Sequence, residues 1–481
     1  MPNNNLTYFP KSITRNAIIT YLLAIMACSI LYVKYALTWY WIAFGFVEVA
    51  GFFYFSNVIT KDWQKLTDRA FSNKLFKISL VIRVVYVLFS YLFYYKMTDG
   101  TYFDFEAADV LFYHDVAVYT AEKMRNGEFN MLSTVMAYGQ ARFSDTGYPV
   151  YLSIVYYIFG NSILCARLLK AVWSAWTVLL IYKLTERNFN ESTARISAIM
   201  CMLMPNLIFY CGLHLKEIEM VFLEVLFVER ADFVIRTQQI KFSRLALLML
   251  IPIFLFTIRT ALAVVLIISF GLALLLSRDG QVSKSQRIVL IISLLFFVGT
   301  IFLGKTSVGK DVIEMWQNRS SRQEVNMEWR SRRKNGNEFA KYASAVVFAP
   351  MIFTIPFPTM VDIEGQEGQK MIHGGNFDKN IISFFTIFTM FVLLFSSKWR
   401  QHVLPIASLC GYLVVLVFSE FAHSERFHLP VVPLTLMFAA YGISMFKSQL
   451  KYQRWFTFWC VLMYIASISW NWFKLSGRGM I

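Results

Sequence analysis

Long apolar runs recur along this chain from residue 17 to residue 472. Each approaches the roughly 20 residues that cross a bilayer as a helix. The pattern predicts spans at 17–35, 39–59, 76–95, 165–183, 193–212, 217–236, 244–258, 260–277, 288–304, 380–397, 403–420, 427–446 and 455–472. The expected fold is an all-α polytopic membrane protein of about thirteen transmembrane helices. No equal-length repeat relates the spans, which weakens a repeat-built transporter. The chain shows no Walker A sequence and no sizeable cytoplasmic domain, which an ATP-driven pump would need.

Short loops between the runs set the orientation, because Lys and Arg accumulate on the cytoplasmic side. Five junctions are basic: Lys61 to Lys74, Arg236 to Arg244, Arg278 to Arg287, Lys398 with Arg400, and Lys447 to Arg454. All five share one face if the N-terminus is cytoplasmic. Two long polar segments then lie outside, 97–164 and 305–379. Their apolar pieces, 149–160 and 343–358, are expected as surface-lying or re-entrant helices rather than spans. The basic stretch Arg319 to Lys334 leaves open that 343–358 is itself a span, which would invert part of this topology. The resulting organisation is 1–96 N-terminal helices, 97–164 first extracytoplasmic loop, 165–304 central bundle, 305–379 second loop and 380–481 C-terminal helices.

Composition agrees with the pattern. Of 481 residues, 57% are hydrophobic and only 16% charged, against about 25% charged in soluble proteins. That excludes a soluble enzyme, a disulfide scaffold and a disordered chain. The net charge of +16 fits positive-inside loops and anionic headgroups rather than nucleic acid. The six cysteines, Cys28, Cys165, Cys201, Cys211, Cys410 and Cys460, lie in or beside apolar runs without metal-ligand spacing. The polar start, Met1 to Arg15, has no cleavage pattern, so the first helix is expected to be retained.

The densest acidic group is in the first loop: Asp104, Glu106, Asp109, Asp115 and Glu122, interleaved with Tyr113, His114 and Tyr119. On a helix Asp109, Tyr113 and Ala117 share a face, and Asp115 points well away from it. The blander reading makes Asp109 a helix cap and the other acids solvated. Further on, Asp145-Thr146-Gly147-Tyr148-Pro149 forms a turn before an amphipathic stretch ending at Phe159-Gly160.

The order Asp109-x-x-x-Tyr113-His114-x-x-Ala117, Gly147-Tyr148-Pro149, Phe159-Gly160 and Arg167-Leu168-Leu169 resembles polytopic GT-C glycosyltransferases. The likeness is to the bacterial protein mannosyltransferase and lipid A aminoarabinose transferase group. It continues at Pro205 and His214-Leu215-Lys216-Glu217, and returns at Ser424-Glu425-Arg426-Phe427-His428-Leu429-Pro430. It covers 76–240 best, 420–446 moderately and the middle third hardly at all.

This resemblance implies a polyprenyl-phosphate-linked sugar donor and an essential carboxylate in the first outer loop. Asp109 is the first candidate for general base, Asp115 the second and Asp104 a distant third. A phosphate leaving group needs no general acid, so one aspartate suffices for inverting attack. Lys216, Arg259 and Arg426, each at a predicted outer span end, are candidate phosphate ligands, against the alternative of snorkelling to headgroups. Tyr113, His114, Glu217 and His423 are candidate substrate contacts. No metal site is demanded by spacing, although a divalent ion stays open because oligosaccharyl-transferring relatives use one. The acceptor is a glycan, a lipid or a protein, and a bacterial inner membrane is the expected location.

Glu217, Glu219, Glu224, Glu229 and Asp232 share one predicted span, more acid than the family leads one to expect. Membrane carboxylates are paired or functional. Three rival functions therefore stay open: a ligase using a polyprenyl-diphosphate glycan, a flippase or transporter coupled through Glu224, and a non-catalytic assembly subunit.

Overall fold

The computed structural model describes residues 7–105, 108–139, 143–237, 241–277, 284–303, 336–340, 347–348, 351–418, 424–446 and 451–481. Among the described residues the secondary structure is helical apart from one isolated bridge between Ala36 and Val361. Helices α1 (Lys11–Leu31), α2 (Trp39–Asp62) and α3 (Asp68–Met97) precede the first loop, which carries α4 (Ala108–Arg125), α5 (Met131–Gly139) and α6 (Gly147–Phe159). The central bundle holds α7 (Ile163–Asn188), α8 (Glu191–Leu203), α9 (Pro205–Phe209), α10 (Glu217–Thr237), α11 (Phe242–Ile258), α12 (Thr260–Leu276) and α13 (Lys284–Leu303). The C-terminal part holds α14 (Glu367–Met371), α15 (His373–Phe395), α16 (Val403–Phe418), α17 (Glu425–His428), α18 (Val432–Met445) and α19 (Lys451–Ser476).

Seven of these stretches are long and apolar enough to cross a membrane, and the bent pair α8–α9 makes an eighth. The protein is thus a polytopic helical membrane protein with large loops. The expected thirteen spans exceed this number. Helices α11, α12 and α16 are apolar but only 17, 17 and 16 residues long. Helix α10 is 21 residues long, and its five acids lower its hydropathy.

Two expectations require correction. The run 193–212 is not one straight helix, because α8 and α9 meet at an angle of 50°. Pro205 has no N–H to continue the helix, and it forces Met204 into an extended conformation with ψ 114°. The carbonyls left behind are answered from α3. Arg83 is fully buried, and its guanidinium donates to Cys201 O at 3.3 Å and to Met202 O at 3.2 Å. An arginine inside the bundle is thereby accounted for by backbone acceptors. The second correction concerns 343–358. Residues 352–358 are turns and extended chain, not a surface helix. Pro356 and Pro358 remove donors there, and Asn380 and Lys379 of α15 hold the strand of chain through Thr354 O, Ile355 O and Pro356 O.

Charged groups separate to the two ends of the bundle. At one end Arg195 donates to the carbonyls of Trp63, Gln64 and Leu66, closing the loop between α2 and α3. Arg187, Glu229, Asp232 and Arg236 join α7 to α10 at the same end. At the opposite end the helices of the first loop pack over the turn 213–216. The helix expected at 149–160 is present there as α6.

Candidate active site

Five separate stretches of chain converge at that opposite end. Asp109 is in the first turn of α4, and its Oδ2 is 2.8 Å from Nη1 of Arg426 on α17. The Nε of the same guanidinium is 2.8 Å from Oε1 of Glu217, the first residue of α10. Lys216, one residue earlier, donates from Nζ to Asp145 Oδ1 at 2.5 Å. Its ammonium also lies 5.5 Å from the ring centroid of Tyr113, one helical turn beyond Asp109. Between α11 and α12, Arg259 stacks 4.2 Å from the ring of Phe427, which also contacts the Arg426 guanidinium at 5.2 Å.

Exposure differs sharply within this group. Asp109 and Asp145 are 53% and 43% exposed, whereas Lys216 and Glu217 are each 3% exposed. The cations are held by the fold and the two aspartates reach out. Burial lowers the Lys216 ammonium below the usual lysine range, and the Asp145 carboxylate opposes that shift. The Tyr113 hydroxyl is pushed up, first by burial and then by the carboxylates of Asp145, Glu217 and Asp109.

Local sequence explains the convergence. Gly147 packs directly on Thr257 of α11, where a Cβ would collide with its side chain. That contact brings the turn containing Asp145 onto the α11–α12 end. The 213–216 turn is pinned from below by Lys170 of α7, which donates to the carbonyls of Leu213 (3.0 Å) and Leu215. Lys170 also lies 3.7 Å from Glu219. Between the two carbonyls sits His214, whose Nε2 is 3.0 Å from the Tyr156 hydroxyl. Tyr156 in turn meets His114 Nδ1 at 2.8 Å. Burial holds both imidazoles below their ordinary range, most strongly His214 beside Lys170 and Arg167. Asp104 sits under this layer with its carboxyl raised by burial against the pull of Arg167.

The sequence-predicted residues therefore divide. Asp109, Tyr113, Lys216, Glu217 and Arg426 come together, with Arg259 joined through Phe427. His114 belongs to the adjoining imidazole–phenol chain. Asp115 is exposed on α4, about 120° around the helix from Asp109. His423 lies outside the described residues. Asp145 and Tyr156 are part of the arrangement and were not read as such. The only sequence signal for Asp145 was its place before a glycine turn. Among the described residues, no group of three or more His, Cys, Asp or Glu is arranged to hold a metal.

Most acids of α10 are paired: Glu217 with Arg426, Glu219 with Lys170, Glu229 with Arg187 and Arg230, and Asp232 with Arg187 and Arg236. Glu224 differs. It is fully buried, and neither carboxyl oxygen has a hydrogen-bond partner.

The described residues thus form a polytopic helical protein with a carboxylate–cation cluster at one end. Comparison with known families specifies the class. The dolichyl-phosphate-mannose-protein mannosyltransferase family matches residues 147–303, and the Alg9-like mannosyltransferase family matches residues 376–481. Both are glycosyltransferase families of GT-C type, and over these two stretches the chain is similar to them, as a membrane glycosyltransferase would be. No curated protein matches the chain. The first match contains Lys216, Glu217 and Arg259, and the second contains Arg426. Asp109 and Asp145 precede both.

Proposed function

We propose that the protein transfers a sugar from a polyprenyl-phosphate-linked donor to a glycan, lipid or protein acceptor on the extracytoplasmic side of a bacterial inner membrane, with inversion, and that Asp109 is the general base. The observation that carries this reading is the exposed carboxylate of Asp109 held 2.8 Å from Arg426, beside the buried Lys216. The acceptor hydroxyl donates its proton to Asp109 as its oxygen attacks the anomeric carbon. The bond from that carbon to the phosphate oxygen breaks, and polyprenyl phosphate leaves with the electron pair. Arg426 and Lys216 offer charge to that leaving group, Arg as a two-pronged donor and Lys as a point charge. Carboxylates pair with these cations, and a donor phosphate would exchange with them. Arg259, packed on the same phenyl ring as Arg426, is the third cation of the set.

Asp115 is the weaker candidate because it points away from every one of these cations. The test is transfer of labelled sugar from polyprenyl phosphate mannose in membranes carrying wild type, Asp109→Asn or Asp115→Asn. Asp109→Asn is expected to lose at least about 10³-fold in rate, with Asp115→Asn near wild type. Robust transfer by Asp109→Asn would overturn the assignment.

Glu224, an acid of α10 whose carboxyl oxygens have no hydrogen-bond partner, favours one second reading, a lipid-glycan transporter with Glu224 as its coupling group. Loss of lipid-sugar translocation in Glu224→Gln, with transfer absent in wild type, would support it.

A further inference from the structure

Next to Arg426, Glu425 belongs to a second polar cluster that the transfer step does not use. Helix α15 begins with Gly374 and Gly375, and its start is approached from two sides. On one side Glu48 of α2 accepts from the Gly375 N–H at 3.0 Å. A Cβ on Gly374 would lie 2.5 Å from Gly45 O and 2.7 Å from Glu48 Oε2. On the other side, a Cβ on Gly375 would lie 2.8 Å from Asn206 Oδ1 of α9. Only glycines allow both groups to come this close. Asn206 donates to Asn376 Oδ1 at 3.0 Å, and Asn376 donates to Glu425 Oε2 at 2.7 Å.

Two side chains of this cluster have acceptor oxygens without hydrogen-bond partners. Asn206 is 3% exposed and its Oδ1 has no hydrogen bond, and Asp378 is fully buried with neither carboxyl oxygen satisfied. Asp378 is close enough to Glu48 and Tyr21 to act on both electrostatically. The cation of this region, Lys379, donates to Ile355 O at 2.6 Å. Buried acceptors in such number are uncommon without a matching donor. Glu48 and Glu425 are only partly buried, so the cluster is not wholly sealed. A polyhydroxylated ring presents several O–H donors at once, which is what these unpartnered oxygens lack.

We propose that Glu48, Asn206, Asn376 and Glu425 form the subsite that takes the hydroxyls of the transferred sugar, with Asp378 as the deepest acceptor. This rests on the transferase reading for the donor's identity. Glu425 directly precedes Arg426, so one short helix, α17, carries a residue of each cluster. A site built to accept hydroxyl hydrogen bonds discriminates strongly against ligands that lack them.

The test is equilibrium binding to the full chain in lipid nanodiscs. The probes are tritiated polyprenyl phosphate carrying mannose, glucose or galactose, each measured against bare polyprenyl phosphate. Wild type is expected to prefer at least one sugar-bearing lipid by tenfold or more. In Glu425→Gln and Glu48→Gln, both near-isosteric, and in Asn376→Ala, that preference falls to about threefold or less while affinity for the bare lipid is kept. Equal affinity of wild type for the bare and all three sugar-bearing lipids would overturn the subsite. So would variants that weaken both kinds of lipid alike. Transfer assayed on the same preparations separates the two readings. A sugar preference without any transfer leaves the subsite standing and removes Asp109 catalysis. Transfer that depends on Asp109, with unchanged preference in all three variants, does the reverse.

Discussion

The two ends of the bundle use the same residue types to opposite purposes. At the end away from the site, Arg187 binds Glu229 at 2.9 Å and Asp232 at 3.0 Å, and Arg236 binds Asp232 at 2.7 Å. Arg236 reaches on to Asn188 Oδ1 and Gln401 O, and Asn188 Oδ1 also meets His402 Nδ1. Here the carboxylates are the buried partners, with Glu229 and Asp232 at 1% and 4% exposure. At the site end the burial is partly reversed. Lys216 and Glu217 are inside, and Asp109 and Asp145 stand outside. A carboxylate enclosed by two arginines is a fixed tie between helices. One that is half in water can change partners, which catalysis and phosphate exchange both require.

Breaking the enclosed network is expected to have the larger effect on stability. Asp232→Ala leaves two arginines facing a hole, and removal of one partner from a buried pair costs about 3–5 kcal/mol. Thermal unfolding in detergent should show that loss, while the folded fraction transfers sugar at the normal rate. Next comes Arg426→Ala at the site end. It is expected to reduce kcat/KM for the donor by about 10²–10³, the scale for one lost donor to developing charge. Arg426→Lys should recover only part of that. An equal loss of stability in both variants would erase the contrast between the ends.

The third way to sharpen it is pH. Burial brings His402 down to about 4, from an ordinary value of 6.5, with Arg236 and Lys398 adding to the shift and Asp232 opposing it. A histidine whose folded value is depressed favours folding above its unfolded value. That contribution is lost as pH falls from about 6.5 toward 4, by at most about 3 kcal/mol. Melting temperature should therefore fall in that window, and His402→Gln should flatten the fall. The smallest effect is expected from Asp145→Asn. It removes the anion that holds the Lys216 ammonium up. The ammonium then loses its proton at lower pH, so the rise in donor KM at alkaline pH should begin earlier than in wild type. A KM profile from pH 7 to pH 10 measures it.

Much of this architecture was legible in the chain. Apolar runs identified the helical membrane fold, because a bilayer leaves the backbone no other way to satisfy itself in such segments. The face shared by Asp109 and Tyr113 followed from helical spacing, and α4 carries both. Individual spans were less legible. A proline at position 205 and acids along α10 changed what apolar content alone suggested. Within 343–358 the apolar content favours a helix, and Pro356 and Pro358 explain why 352–358 is turn and extended chain instead.

The site was legible as a set of residue types and not as a set of pairs. Lys216, Glu217 and Arg426 were recognisable as charges at span ends, where charge is scarce. That Arg426 bridges Asp109 and Glu217, and that Lys216 engages Asp145, depends on α17, α4 and α10 meeting, more than 300 residues apart along the chain at the extreme. No periodicity encodes such a meeting. The sequence alone determined that the chain crosses a membrane as helices, and which carboxylates and cations stand at helix ends, since both follow from local burial and spacing. Only the tertiary structure decided which carboxylate is enclosed and which is exposed, because that depends on what packs around it from distant segments.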